Sequence, residues 1–461
     1  MRFLLAASLA ACAPVPPSAQ TTTAINARAL ETLIDSVMAR GMADAHIPGG
    51  VFTLVKDGQV VFSKGYGFTD VEMMRPVSPD STVFRIGSIT KVFTATAVVQ
   101  LADRGRLALD RDVNEYLKRL KVPSTYPQPV TAEHLLTHSA GFDELPGVRQ
   151  ARSSAELRPL HEFLRDKLIR VRPPGRVTAY SSFGAALAGL LVEEVSGLSY
   201  EEYLRQNIWQ PLGMTRTSIT PGGAPIGYEY EDDKITRAPY EWYHTTPAGS
   251  INSTAADMAR FMIAHLEGGG AILSANATRD MHRRHATMHP LIPGWTLGFQ
   301  ENDLNGERII EHGGDIAGFA SLMVLLPDRR TGFFVAHHRE GSGLRFTIET
   351  AVLDRFFPDR RPAEKLPTPA GAPAMADRFA GTYRWNIYCR TCPTGAQQLP
   401  QFVVTANPDG TIGLQNKRWV EAEPFLFRSL DGKERLGFAA DSSGRVMHLT
   451  GGSWRVLERV R

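Results

Sequence analysis

Cysteine is nearly absent from this 461-residue chain, which has three in all. A disulfide-stapled scaffold and a Cys-rich zinc module are therefore both excluded. Charge of one sign is missing as well: Lys plus Arg number 51 against 48 for Asp plus Glu, a formal net of +3. That balance leaves no basic field for a phosphate backbone, so nucleic acid is not a partner. There is no internal repeat, and beyond the first dozen residues no apolar run is long enough to span a bilayer. A hydrophobic content of 43% still supports substantial cores, and the length calls for two domains rather than one.

The start of the chain, Met1-Arg2-Phe3-Leu4-Leu5 through Ala11-Cys12, has a positive residue followed by a short apolar stretch, the pattern of a secretory signal. Leu9-Ala10-Ala11-Cys12 also resembles a bacterial lipoprotein box, which makes Cys12 a candidate lipid anchor; plain cleavage near Ala19 is the alternative. Either way the expectation is an exported protein, periplasmic, membrane-anchored or secreted. Cys389 and Cys392 are spaced C-x-x-C in strand-like surroundings, so a short-loop disulfide is expected in an exported chain.

Hydropathy and turn residues divide the remainder. Residues 1–23 read as leader and tether, 24–357 as the main domain, 358–376 as a Pro-rich linker and 377–461 as an all-β accessory domain. In the main domain, helical spacing runs from Ile25 to Met42. Asp57-Gly58 then joins two strands, Gly50 to Lys56 and Gln59 to Tyr66. Strands are predicted again at Trp295 to Phe299, Glu307 to Glu311, Ala320 to Leu326 and Gly332 to His337, with a helix at Arg345 to Phe356. Distant strands enclosing helices predict an α+β fold: one antiparallel sheet flanked by helices, with an inserted helical subdomain. Seven short strands beyond Phe379, separated by Asp-Gly and Gly-rich turns, predict a small barrel or sandwich.

Ser88 and Lys91, in Gly87-Ser88-Ile89-Thr90-Lys91, lie three apart at a helix start. Residues at i and i+3 share a helix face, so the lysine reaches the hydroxyl without tertiary help, and first-turn N–H groups favour a developing oxyanion. The helix is apolar nearly all round, through Val92, Phe93, Val98 and Leu101, which marks it as central. Three further segments follow in order: Tyr180-Ser181-Ser182 before an apolar helix, Pro247-Ala248-Gly249-Ser250, and His312-Gly313-Gly314-Asp315 between strands. His134 through Phe142 and Ile208 through Met214 add support.

With these motifs in this order, residues 26 to 357 resemble the serine hydrolases of the class C β-lactamase and D-Ala-D-Ala carboxypeptidase superfamily, which includes D-aminopeptidases and β-lactamase-like carboxylesterases. The resemblance implies Ser88 as nucleophile, Tyr180 as proton shuttle and Lys91 as its partner. It also implies an oxyanion hole from the backbone N–H groups of Ser88 and Asp315. Substrate contacts would come from Ser182, His312, Gly313 and Gly314, and the C-terminal module would be lipocalin-like. A serine hydroxyl is a weak nucleophile until a neighbour takes its proton. Lys91 and Tyr180 both have ordinary pKa values near 10, so either could be shifted into that role, and the residues alone leave the resting base open.

Two departures concern substrate. Ser182 stands where the family carries asparagine, and His312 where class C β-lactamases carry lysine. A shorter hydroxyl and a largely neutral imidazole weaken the grip on an acylamide and on a carboxylate. Carboxylesterase is therefore the leading expectation, with D-amino-acid peptidase second and weak β-lactamase third, acting on a small ester, peptide or β-lactam without metal or organic cofactor. A non-catalytic receptor for a cell-wall fragment is the rival from another class. Ser139 in a degraded G-x-S-x-G stretch reads as a loop residue. His282, His285 and His289 read as a solvated basic stretch rather than metal ligands. Trp242, Tyr243 and His244 are candidates for lining the cleft.

Overall fold

The computed structural model describes residues 25–220, 225–361, 373–393, 397 and 399–460. The expected leader with Cys12 and most of the linker lie outside the described residues. Among the described residues no helix is long and apolar enough to cross a membrane.

Helix α1 (Ala27–Asp44) leads into β1 (Gly49–Lys56), β2 (Gln59–Asp70) and the short β3 (Arg75–Pro76). The predicted turn is present: Asp57 and Gly58 both have positive φ, 49° and 77°, as a two-residue hairpin loop requires. After the helical region come β4 (Gln300–Leu304), β5 (Glu307–Ile316), β6 (Phe319–Leu326) and β7 (Thr331–His338). The seven strands form one sheet in the order β4-β5-β6-β7-β1-β2-β3, so the two ends of the domain meet where β7 pairs β1, Phe52 opposite Val335. Central β1 is covered on both faces. Val51 and Val55 face one core, Phe52 and Leu54 the other, as side chains alternate along a strand.

Two layers of helix supply those cores. On one side α1 packs with α4 (Leu344–Phe356) through Leu30, Ile34, Ile348 and Val352. On the other lie α2 (Thr90–Asp103) and α3 (Ser182–Ser196), with Phe93 stacked on Phe261 at 3.9 Å. Twelve of the fourteen α2 residues are buried, which is why its sequence shows no polar face.

The C-terminal strands β8 (Gly381–Trp385), β9 (Gln401–Ala406), β10 (Ile412–Leu414), β11 (Lys417–Glu423), β12 (Leu426–Ser429), β13 (Arg435–Ala440), β14 (Val446–Thr450) and β15 (Val456–Arg459) close into a barrel. It has one strand more than predicted. In β11 the adjacent Trp419 and Val420 are both buried and a register shift falls between Glu421 and Glu423, so the strand lacks the alternation that would mark it. Trp295 to Phe299 is likewise not a strand; the sheet begins at Gln300. Cys389 and Cys392 are joined in a disulfide.

One buried pair makes stability depend on pH. Glu311 of β5 and Glu349 of α4 are both buried and interact with each other, and Glu311 Oε2 and Glu349 Oε1 have no hydrogen-bond donor among the described residues. Burial pushes both carboxyls up; the neighbouring Glu311 charge drives Glu349 further, well above its usual value. A raised acid stabilises the fold fully below its unfolded pKa near 4.5, and that contribution is lost as pH climbs through the folded value. Glu349→Gln keeps the neutral form at every pH. Its stability relative to wild type should therefore grow as pH climbs above about 4.5 and through the raised folded value, by about 1.4 kcal/mol for each pKa unit of upward shift removed. Calorimetry showing a stability difference that does not change with pH would exclude a raised Glu349 carboxyl.

Candidate active site

Three elements fix the position of Ser88. Phe84-Arg85 pairs with Asn252-Ser253, and the Ile86 N–H donates to the Ile251 carbonyl at 3.1 Å, which brings the Pro247 motif against the start of α2. Gly87 then turns with φ 52°. On its far side β5 crosses closely: a Cβ on Gly87 would stand 3.0 Å from the Asp315 nitrogen, and one on Gly314 only 2.1 Å from the Ile86 carbonyl oxygen. Glycine at both positions lets the Asp315 backbone approach Ser88. The Ser321 hydroxyl donates to the same Ile86 carbonyl at 2.9 Å, and Arg345 of α4 holds the Asp315 carboxylate with two bonds of 2.8 and 2.5 Å.

Ser88 is half-buried at the mouth of this arrangement. The Lys91 Nζ is 3.1 Å from the Ser88 Oγ and 2.7 Å from the Ala248 carbonyl oxygen, and it lies 4.6 Å from the centre of the Tyr180 ring. Tyr180 lines the cleft together with Ser88. Hydroxyl, amine and phenol thus converge from two stretches of chain, the start of α2 and the segment before α3, with the Ala248 carbonyl supplied by a third. Burial, aided by the positive charge of Arg149, takes the Lys91 amine well below its ordinary value. Burial also pushes the Tyr180 phenol well up, against a smaller lowering by Ser88. Both shifts favour a neutral amine beside a neutral phenol over an ammonium beside a phenolate.

The other predicted residues are more varied. His312 and Gly313 line the cleft with Ser88 and Tyr180. The His312 Nδ1–H donates to the Gly313 carbonyl at 2.7 Å, and burial lowers its pKa to about 3, so the imidazole is neutral. Gly314 acts through its missing side chain. Ser182 is buried, lines neither cavity, and its hydroxyl accepts from Arg149 Nη1 at 3.1 Å. Tyr243 reaches a cavity beside Ser88, whereas His244 stacks on Phe163 at 4.6 Å. Ser139 is buried and bonded to Thr137.

The histidines differ from their expected setting. His282 and His285 are buried, not solvated, and His282 is bonded to His265 at 3.1 Å. Among the described residues no cluster of His, Cys, Asp or Glu is placed to hold a metal ion.

Several residues at the site were not singled out by the sequence, although His138 lies within the His134 to Phe142 motif. His138 accepts from the Ser181 N–H at 3.1 Å and packs its ring 4.4 Å from that of Tyr180. Arg149 belongs to an irregular loop with no periodicity. Trp454 comes from the barrel: it meets the Tyr180 ring at 4.6 Å, edge to face, while the Ser453 carbonyl accepts from the Trp295 indole at 2.9 Å. An aromatic residue directly after Gly451-Gly452-Ser453 was its one trace in the sequence. The barrel is fastened on the other flank of Tyr180 too. Arg172 donates to the Asn386 carbonyl at 2.6 Å, Asn386 donates to the Thr178 carbonyl at 2.8 Å, and Asp143 accepts from the Arg390 and Thr391 amides of the disulfide loop. A cleft of ≈ 1400 Å³ runs from Ser88 between sheet and barrel.

The sequence profile of the family described as Beta-lactamase matches residues 34–355. Among curated proteins, the chain is 27% identical over 313 residues to Protein flp of Staphylococcus aureus (strain NCTC 8325 / PS 47), covering 66% of this chain and 62% of that protein. It is 23% identical over 385 residues to penicillin-binding protein 4* of Bacillus subtilis (strain 168), covering 77% and 82%. The chain thus spans 62% of the length of Protein flp. Among solved structures, the octameric penicillin-binding protein homologue from Pyrococcus abyssi superposes with TM-score 0.64 at 24% identity, over 93% of this chain and 100% of that one. SurE gives 0.65 at 21%, over 94% and 99%. The class C beta lactamase from Rhodobacter sphaeroides gives 0.59 at 21%, over 70% and 98%. A match over 94% of the chain leaves too few residues outside it to omit the barrel.

Proposed function

The chain belongs to the beta-lactamase family, and on that premise we propose that it is a serine hydrolase that cleaves esters or amides through an acyl-enzyme on Ser88. The observation that carries the reading is the convergence of the Ser88 hydroxyl with a desolvated Lys91 amine, 3.1 Å away, at the mouth of an open cleft. As the Ser88 oxygen bonds to the substrate carbonyl carbon, its proton passes to Lys91. The carbonyl oxygen becomes an oxyanion facing the Ser88 and Asp315 amides, the kind of donor pair that stabilises such a charge most. Collapse breaks the bond to the leaving group, which takes a proton delivered through Tyr180. Water repeats the sequence in reverse and frees Ser88.

Carboxylester substrates lead. Neutral His312 offers no cation on the β5 side, and Ser182 is committed to Arg149, so neither grip of a β-lactamase on its substrate is in place. D-amino-acid peptides come second: SurE, which shares the fold, is described in complex with D-Leu. We also propose export to the periplasm or outer face of a membrane, on the strength of the first twelve residues. A fluorophosphonate probe should label the wild type at Ser88 and leave Ser88→Ala unlabelled; p-nitrophenyl esters, nitrocefin and D-alanyl peptides then rank the substrate classes. Equal absence of label on both proteins would favour the receptor alternative.

A further inference from the structure

Two cavities meet at Ser88. The cleft toward the barrel is wide, whereas the second, of ≈ 200 Å³, is small and polar, bounded by Arg149, Gln150, Tyr243, Thr245, Ala248 and Gly249, with Ser88 and Asp315 common to both. At about 30 Å³ per water, the small cavity takes on the order of half a dozen heavy atoms. A reacting carbonyl on Ser88 sits at the junction and sends one substituent into each. The leaving group must depart between the two half-reactions, and the wide cleft is the exit, so the retained acyl group occupies the small cavity.

Arg149 defines the chemistry of that cavity. Its backbone is fixed by pairing of Gln150-Ala151 with Trp242-Tyr243, and the His244 N–H donates to the Arg149 carbonyl at 2.8 Å. Its guanidinium spends one N–H on Ser182 and lies 5.9 Å from the centre of the Tyr243 ring. It makes no ion pair among the described residues. The acidic groups around it have other partners or face outward: Glu241 and Glu340 also line this cavity, but Glu241 takes the Tyr243 phenol and Glu340 is exposed, Asp315 is paired with Arg345, and Glu144, which feels the Arg149 charge, accepts from the Phe183 amide. A half-buried planar fork with unused donors beside a nucleophile matches a carboxylate.

We propose that Arg149 is a specificity-determining residue that binds a carboxylate carried by the acyl group, so that the enzyme prefers short dicarboxylic monoesters over neutral esters. The positive charge expected from a lysine on β5 is thus supplied from the opposite wall, and it selects for the acyl part of the substrate. This rests on the hydrolase reading above.

Monoethyl succinate and ethyl levulinate are of nearly equal size and differ in ending with a carboxylate or a methyl ketone. By pH-stat, the wild type should show a kcat/KM ratio of about 10- to 100-fold in favour of the succinate, the range expected for charge-assisted hydrogen bonds. Arg149→Gln should bring the ratio close to one, and Arg149→Lys, which keeps the charge and loses the fork, should fall between. Because both esters are measured on one preparation, any loss of folded enzyme cancels. A wild-type ratio of one with Ser88 still labelled by fluorophosphonate overturns the assignment of Arg149 and leaves the hydrolase intact. So does a ratio that Arg149→Gln leaves unchanged. Failure of Ser88 to label at all overturns both.

Discussion

Lys91→Ala lowers kcat/KM by about 10²- to 10⁴-fold on every ester tested, the range for removal of a positioned general base, whereas Tyr180→Phe is costly only when the leaving group is poor. The difference follows from how burial acts on the two groups. Desolvation disfavours whichever form is charged, so it lowers an amine and raises a phenol; Lys91 and Tyr180 are shifted in those opposite directions. An amine biased toward its neutral form and held 3.1 Å from Ser88 is placed to accept a proton. A phenol held neutral is a donor, and its help matters for an ethoxide but little for a p-nitrophenolate that leaves unaided. Tyr180→Phe should therefore act close to wild type on p-nitrophenyl acetate and fall by about 10²-fold or more on an ethyl ester. The acid limb of the wild-type profile should report Lys91: activity rises with pH as the amine loses its proton, at a midpoint well below the usual 10.5, and Lys91→Ala removes that limb. Equal losses for Tyr180→Phe on both esters would make the phenol the base instead.

The sequence made some of this legible because the responsible interactions are local. The i, i+3 spacing of Ser88 and Lys91, the Asp57-Gly58 turn and the apolar α2 each express backbone geometry within a few residues. Order along the chain was enough to associate Tyr180 and the His312 segment with them through resemblance. What stayed hidden depends on distant packing. The choice between Lys91 and Tyr180 as base is a matter of desolvation, which no spacing encodes. Arg149 and Trp454 enter the site from an irregular loop and from a turn in another module, so neither carries a period. The extra strand β11 escaped because its two buried residues are adjacent rather than alternating. Ser182 was recognised as a position, yet its partner Arg149, more than thirty residues earlier in the chain, was not foreseeable. The buried state of His282 and His285 has the same origin: their run of polar neighbours looks solvated until the sheet and helices close over it.

Gly314→Ala should lower the rate of acylation by about 10²- to 10³-fold, the usual loss for one oxyanion-hole donor, although alanine is small and the residue lines neither cavity at Ser88. The added methyl would lie 2.1 Å from the Ile86 carbonyl oxygen and 2.6 Å from the Ser321 hydroxyl. A hydroxyl can rotate away; a main-chain carbonyl two residues before Ser88 cannot. The strain is relieved by moving β5 off the Ile86-Gly87 turn, which carries the Asp315 amide away from Ser88. A methyl forced into a packed site also costs about 1–3 kcal/mol of stability, so the melting temperature should drop with the rate. Gly313→Ala is the control, because its methyl meets nothing nearer than 3.7 Å. It should fold as stably as wild type and alter KM rather than kcat, since Gly313 lines the cleft. Measured as the second-order rate of fluorophosphonate labelling, Gly314→Ala must fall far below Gly313→Ala. If the two label alike, the close crossing of β5 over Gly87 is a packing contact without a part in the oxyanion hole, and the second donor has to be sought elsewhere along the cleft.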